Sequence, residues 1–127
     1  NQRRPLKDMA FLNQWGQSTV QSLLEAKLLN TDMHILASGG VKNPLDAIKS
    51  LVLGAEAVGL SGYVLKYLDE YGVEETIEHM KQFIEQMHVI ANLLNASNVS
   101  DLRSVGYVLA PELQTYVEQR SKIINPE

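Results

Sequence analysis

The sequence predicts an α/β fold: two parallel strands joined by a helical crossover, forming part of a larger sheet. Three observations predict it. Two short apolar runs, Met33–Ala37 and Ala57–Leu60, read as buried strands. Each runs into a glycine turn, Ser38-Gly39-Gly40 and Gly59-Leu60-Ser61-Gly62, with a helical pattern directly behind it. Between them lies Asn43-Pro44-Leu45-Asp46, a strong helix start. A short strand–helix–strand unit requires parallel strands. Strands this apolar are expected to be covered on both faces. Two strands make no stable sheet alone, so further strands are expected upstream.

Composition sets the outer limits. The 127 residues suffice for one domain and one core, and 45% hydrophobic with 20% charged residues reads as globular. The longest apolar runs fall well short of a membrane span. The absence of cysteine rules out disulfides and thiol chemistry and fits a cytoplasmic protein. A net charge of −4 argues against nucleic acid as the main partner. The opening Asn1-Gln2-Arg3-Arg4-Pro5 looks unlike a natural start, and the chain is expected to be a piece of something longer.

Along the chain, residues 1–10 are polar and show no period. From Asn13 to Leu29 the positions Val20, Leu23, Leu24 and Leu28 recur at helical spacing, with Ser18 and Thr19 as first-turn residues and Asn30 as the stop. In the next helix Asn43 caps, Pro44 suits the first helical position, and Asp46 favours the positive helix end. Leu45, Ile48, Leu51 and Val52 form its buried face, and Gly54 ends it. A further helix starts at Gly62 and ends near Gly72. A long one follows from Glu74 to Asn95, with Ile77, Met80, Ile84, Met87 and Leu94 as its stripe and Phe83, Ile90 and Leu93 beside it. A short helix capped by Asn98 or Ser100 and a last one behind Pro111 complete the chain.

The glycines carry the functional reading. A strand, a Gly-Gly turn and a helix N-terminus make an anion site, because bare backbone admits a phosphate closely and the helix end offers unpaired N–H groups. Two such turns on consecutive parallel strands open at the same sheet edge. In (β/α)8 barrels the loops after strands seven and eight often form the phosphate site. Lys42 adds a positive charge. The alternative is that Gly39 and Gly40 only make a tight connection. His79 and His88 stand nine apart on one helix, a spacing that does not share a metal, and His34 lies at the strand start. No metal ligands are therefore assigned. Trp15, the sole tryptophan, suits packing as well as a site. Asp46 and Glu74-Glu75 read as helix-end charges. No catalytic acid or base is legible.

The run "ASGGVKNPLDAIKSLVLGAEAVGLS" resembles the last two strand–helix joins of flavin-mononucleotide barrels. Together with "NQRR", "FLNQWGQSTVQSLLEA", "YVLKYLDEYGVEETIE" and "DLRSVGYVL", it resembles the type 2 isopentenyl-diphosphate isomerases. The resemblance spans nearly the whole chain and about the C-terminal third of such an enzyme. It implies that residues 1–127 are the C-terminal part of a single FMN-binding (β/α)8 barrel, containing about strands seven and eight and helices six to eight. It implies interconversion of isopentenyl and dimethylallyl diphosphate by an allylic proton shift, with FMN reduced by NADPH and with Mg2+ on the substrate diphosphate. Gly39, Gly40, Val41 and Lys42 would line the flavin phosphate, as would Ser61 and Gly62. Thr19 would be a flavin neighbour, and Trp15 would lie by the mouth of the site near substrate. Many relatives carry Arg where this chain has Lys42, and Arg or a bulky apolar residue where it has Gly62. The metal-binding Glu and the substrate-binding basic pair would lie upstream, and "NQRR" would belong to the loop after strand six.

Other readings are an FMN barrel of different chemistry, such as a 2-hydroxy-acid oxidase, a phosphate-binding barrel without turnover, or a fragment that binds nothing. The segment "LNQWGQST" argues against the oxidase. Strands that are apolar on both faces need covering, either by the upstream part of the protein or by further copies of the chain; a homo-oligomer is expected, with no nucleic-acid or membrane partner.

Overall fold

The computed structural model describes residues 7–29 and 32–126. The "NQRR" motif and the expected helix stop at Asn30 lie outside these residues. A 3₁₀ segment, Lys7–Leu12, comes first. Helix α1 (Thr19–Leu28) begins at the expected first-turn residues. Ser18 decides the point. Its hydroxyl accepts from the Gln21 N–H at 3.2 Å, and the Gln21 side chain accepts from the Ser18 N–H at 2.8 Å. That reciprocal box fixes the helix start and leaves residues 13–18 as a connecting loop.

Strands β1 (Leu36–Ser38) and β2 (Ala57–Gly59) pair in parallel, Leu36 with Ala57, Ala37 with Val58 and Ser38 with Gly59. A side chain at Gly59 would place its Cβ 3.0 Å from the Ser38 hydroxyl, so the register requires a bare backbone there. The faces that further strands were expected to cover are partly open. Each strand has three residues, Ala37 is buried, and Leu36 beside it is 73% exposed. Among the described residues each strand has one neighbour.

Helix α2 (Pro44–Val52) joins the strands and organises the core. Ile48, Leu51 and Val52 pack with Leu23, Leu24, Ala37 and Leu102. Ala47, with no exposure at all, packs with Val41 and Phe83 in a second cluster. One helix thus meets Leu23, Leu24, Ala37 and Leu102 through one cluster and Val41 and Phe83 through the other.

Helix α3 (Ser61–Leu93) turns back on itself at Gly72. In a straight helix Tyr63 and His79 would stand about 24 Å apart. Here the Tyr63 hydroxyl and His79 Nε2 are 2.6 Å apart. Gly72 allows this with φ +83° and ψ −179°, a region that residues with a Cβ avoid. The Thr76 hydroxyl donates to the Gly72 carbonyl at 2.6 Å and fastens the corner. The stripe on the returning arm is shifted from the expected one. Thr76 and Phe83 are buried and Met80 and Met87 half-buried, whereas Ile77 and Ile84 are exposed. Adjacent helical residues differ by about 100° in direction. The contact of Phe83 with Val41 and Ala47 sets the rotation.

Asn98 caps α4 (Val99–Leu102), accepting from the Asp101 N–H at 3.0 Å, and Pro111 opens α5 (Pro111–Ile124). Helix α5 packs on α1 through a polar network. The Tyr116 hydroxyl donates to Glu25 at 2.7 Å, and Arg120 Nε donates to the same carboxylate oxygen. These bonds, that from Tyr116 foremost, hold the Glu25 carboxyl below its usual pKa. Glu56 is lowered likewise by His34, 2.7 Å away, and by Arg103.

Two outcomes are expected. Gly72→Ala meets no steric neighbour, because a Cβ there finds nothing within 4 Å. The backbone strain alone should cost about 1–3 kcal/mol, read as a fall in the urea midpoint. Glu25 and Glu56 have folded pKa values below their unfolded ones. Their stabilisation is therefore present above the ordinary carboxylate range and is lost as pH falls through the lowered values. The urea midpoint should decline with acidification through that window, and Glu25→Gln should flatten part of the decline.

Candidate functional site

The C-terminal ends of β1 and β2 open side by side. Gly39 and Gly40 follow β1 with φ +101° and +72°, left-handed values that glycine adopts without strain. Thr19, in the first turn of α1, fixes this turn. Its hydroxyl donates to the Gly39 carbonyl at 2.7 Å and lies 3.2 Å from that of Ser38. These carbonyls therefore face α1. The C=O and N–H of a trans peptide point in opposite directions, so the Gly39 and Gly40 N–H groups face away from α1. Val41 anchors the far side of the turn with a buried side chain, leaving only its backbone for a ligand.

The two helix ends behind the turns differ. Helix α2 is closed by its own residues: Asn43 accepts from the Asp46 N–H at 2.9 Å, and the Asp46 carboxylate accepts from the Lys42 N–H at 3.1 Å and the Asn43 amide at 3.0 Å. A carboxylate already occupies that positive end, as expected of a helix-end charge, and the Lys42 backbone N–H is committed to it. Helix α3 begins at Ser61, one residue before the expected start, with no side-chain cap. Its first N–H groups remain open to an anion.

Between the turns lies a cavity of about 590 Å3, lined by Gly39, Gly40, Lys42, Ser61 and Gly62 and walled by the first arm of α3, residues 61–71. The structure thus brings together most of the predicted phosphate residues. Trp15 is not among them: it is 82% exposed and lines a separate shallow hollow with Phe11, Leu12 and Gln14. Among the described residues no three carboxylate or imidazole groups converge to hold a metal ion.

The α3 wall was missed from sequence. Tyr63, Lys66, Tyr67 and Tyr71 all line the cavity. Their spacing of three and four residues was the available signal. His79 braces this wall from the returning arm, stacked on Tyr67 with ring centroids 4.0 Å apart and an angle of 4°. Glu70 raises the Tyr71 phenol above its usual pKa, chiefly through a hydrogen bond. Helical side chains lean toward the N-terminus, which directs Lys66 toward the open end of α3.

The profile of the family described as FMN-dependent dehydrogenase matches residues 14–104. The chain belongs to the FMN-dependent dehydrogenase family. This is a family of (β/α)8 barrels, in keeping with the parallel strand–helix–strand unit observed here. Among similar proteins, one named isopentenyl-diphosphate delta-isomerase from Staphylococcus saprophyticus is 48% identical over 120 residues, covering 94% of this chain and 35% of the relative. A Staphylococcus aureus protein of the same name is 46% identical over 95% of the chain. One from Staphylococcus epidermidis is 43% identical over 98% of it. The chain spans about a third of the length of these relatives, 35% to 36%. The match to the FMN-dependent dehydrogenases contains both glycine turns and ends before α5.

Thr19→Val keeps the branched shape and removes the donor. It should lower stability by about 0.5–1.5 kcal/mol in urea unfolding. Thr19→Ser should retain most of the wild-type value.

Proposed function

We propose that this chain is the C-terminal part of an FMN-binding (β/α)8 barrel, supplying its seventh and eighth strands. The complete enzyme, on this reading, interconverts isopentenyl and dimethylallyl diphosphate. The flavin assignment rests on the pair of glycine turns facing one cavity. The reaction rests on the proteins of that name that are 43% to 48% identical over most of the chain.

The donor set fits a phosphate monoester. The outward N–H groups of Gly39 and Gly40, the backbone at Val41 and the uncapped start of α3 at Ser61 and Gly62 would hold the flavin phosphate. Lys42 acts through its side chain alone, since its N–H is taken by Asp46. As a compact cation it adds charge without the bidentate geometry of arginine. Thr19 keeps its donor hydrogen on the turn, so it serves the flavin by shaping the cradle. Trp15 lies on the loop leading into α1 and would stand by the mouth near substrate.

The two diphosphates share one formula. A proton is added at the terminal methylene carbon and another is lost from the carbon two bonds from the diphosphate oxygen, with no net redox change. Reduced FMN, when bound, supplies the proton-transfer chemistry, with NADPH as the reductant. Mg2+ would neutralise the substrate diphosphate from ligands upstream of this chain. The enzyme would work as a cytoplasmic homo-oligomer. No described helix is long and apolar enough to cross a membrane.

The whole enzyme should carry the flavin absorbance spectrum and, once reduced, convert isopentenyl diphosphate. A flavoprotein that oxidises 2-hydroxy acids and leaves isopentenyl diphosphate unchanged would overturn the reaction assigned here. A Cβ at Gly40 meets nothing within 4 Å because it projects into open space, at a φ that strains any branched residue. Gly40→Val should therefore abolish flavin retention, and normal flavin content in that variant would sink the phosphate assignment.

A further inference from the structure

Helix α5 lies beyond the segment matched by the family profile, which ends at residue 104. It is nonetheless tied to the part of the chain that leads into the site. Its apolar positions Leu113 and Val117 pack on the core cluster that contains Leu23 and Leu24. Beside them Tyr116 makes two polar contacts with different parts of the chain. Its hydroxyl donates to Glu25 at 2.7 Å and accepts from the Gln17 side-chain amide at 2.6 Å. A phenol has one hydrogen to give. Glu25, held ionised by Tyr116 and Arg120, only accepts, so the hydrogen points at Glu25 and a lone pair faces Gln17. The direction of the bonds is thereby fixed: Gln17 on the loop donates to Tyr116 on α5, and Tyr116 and Arg120 both donate to Glu25. Gln17 stands two residues from Trp15 and two from Thr19, the residue that holds the Gly39 turn.

We propose that α5 is a latch that positions the 13–18 loop, and Trp15 with it, for the substrate site, with Tyr116 as its positioning residue. This rests on the reading above that places Trp15 near substrate. Removing the Tyr116 hydroxyl leaves the ring packing in place and releases Gln17, so the loop samples more positions while the glycine cradle stays formed.

The test uses the whole enzyme. In Tyr116→Phe, amide hydrogen exchange across residues 13–18 should quicken about 3- to 10-fold, with α2 and the glycine turns exchanging as in wild type. KM for isopentenyl diphosphate should rise by a similar factor, while kcat and flavin content change less. Gln17→Ala should reproduce both effects, and the double variant should be no worse than either single one. Should Tyr116→Phe fail to fold, Gln17→Ala carries the same test. Unchanged exchange across 13–18, additive effects in the double variant, or faster exchange with an unchanged KM would each overturn the latch. Absence of flavin or turnover in the wild-type enzyme would instead overturn the proposed function, and the exchange measurement is read without either.

Discussion

One hydroxyl, that of Thr19, governs the geometry on which the site depends. It takes the carbonyls of Ser38 and Gly39 to its own side, and peptide planarity then sends the following N–H groups the other way. A helix thus imposes its position on a turn that would be conformationally loose by itself, since adjacent glycines lose the most freedom on ordering. Gly39 is seated so closely that its would-be Cβ lies 3.2 Å from the Thr19 hydroxyl. The cradle is therefore a joint product of α1 and β1.

The second constraint is the division of labour between helix ends. Both glycine turns precede helix N-termini, and both ends look alike as potential anion sites. The side chains at α2 break the equivalence: Asn43 and Asp46 consume its open donors, and Asp46 adds a negative charge there. Helix α3 has no such cap. Open backbone donors are consequently left between the Gly39–Gly40 turn and α3, on the side where Lys42 and Lys66 stand. Capping, usually a matter of stability, here decides which helix end stays open.

What was legible in the sequence was what short-range chemistry decides. The Asn43 and Asn98 caps, the Pro111 start, both glycine turns and the break at Gly72 follow from residues within a few positions of one another. What was not legible depends on contacts across the chain. Gly72 announces an end to a helix, but nothing local says that the next helix returns along the first and stacks His79 on Tyr67. The shifted stripe on α3 came from Phe83 meeting Ala47, a partner 36 residues away in sequence. The network of Glu25, Tyr116 and Arg120 was invisible for the same reason: its members are ordinary surface residue types, separated by 91 and 95 positions.

The exposed face of β1 shows which parts of the site this chain can shape by itself. Burying an apolar side chain is worth about 1.5–3 kcal/mol, against a total domain stability of about 5–15 kcal/mol. Leu36 and Met33 forgo that contribution in the described structure. A closed apolar floor needs the neighbours that would cover such residues. The glycine turns do not. Their conformations, the Thr19 clamp and the uncapped start of α3 are all settled within residues 19–63, and the buried contacts of α2 hold them in register. The glycine turns are thus fixed within this chain, while the open face of β1 has no neighbour among the described residues.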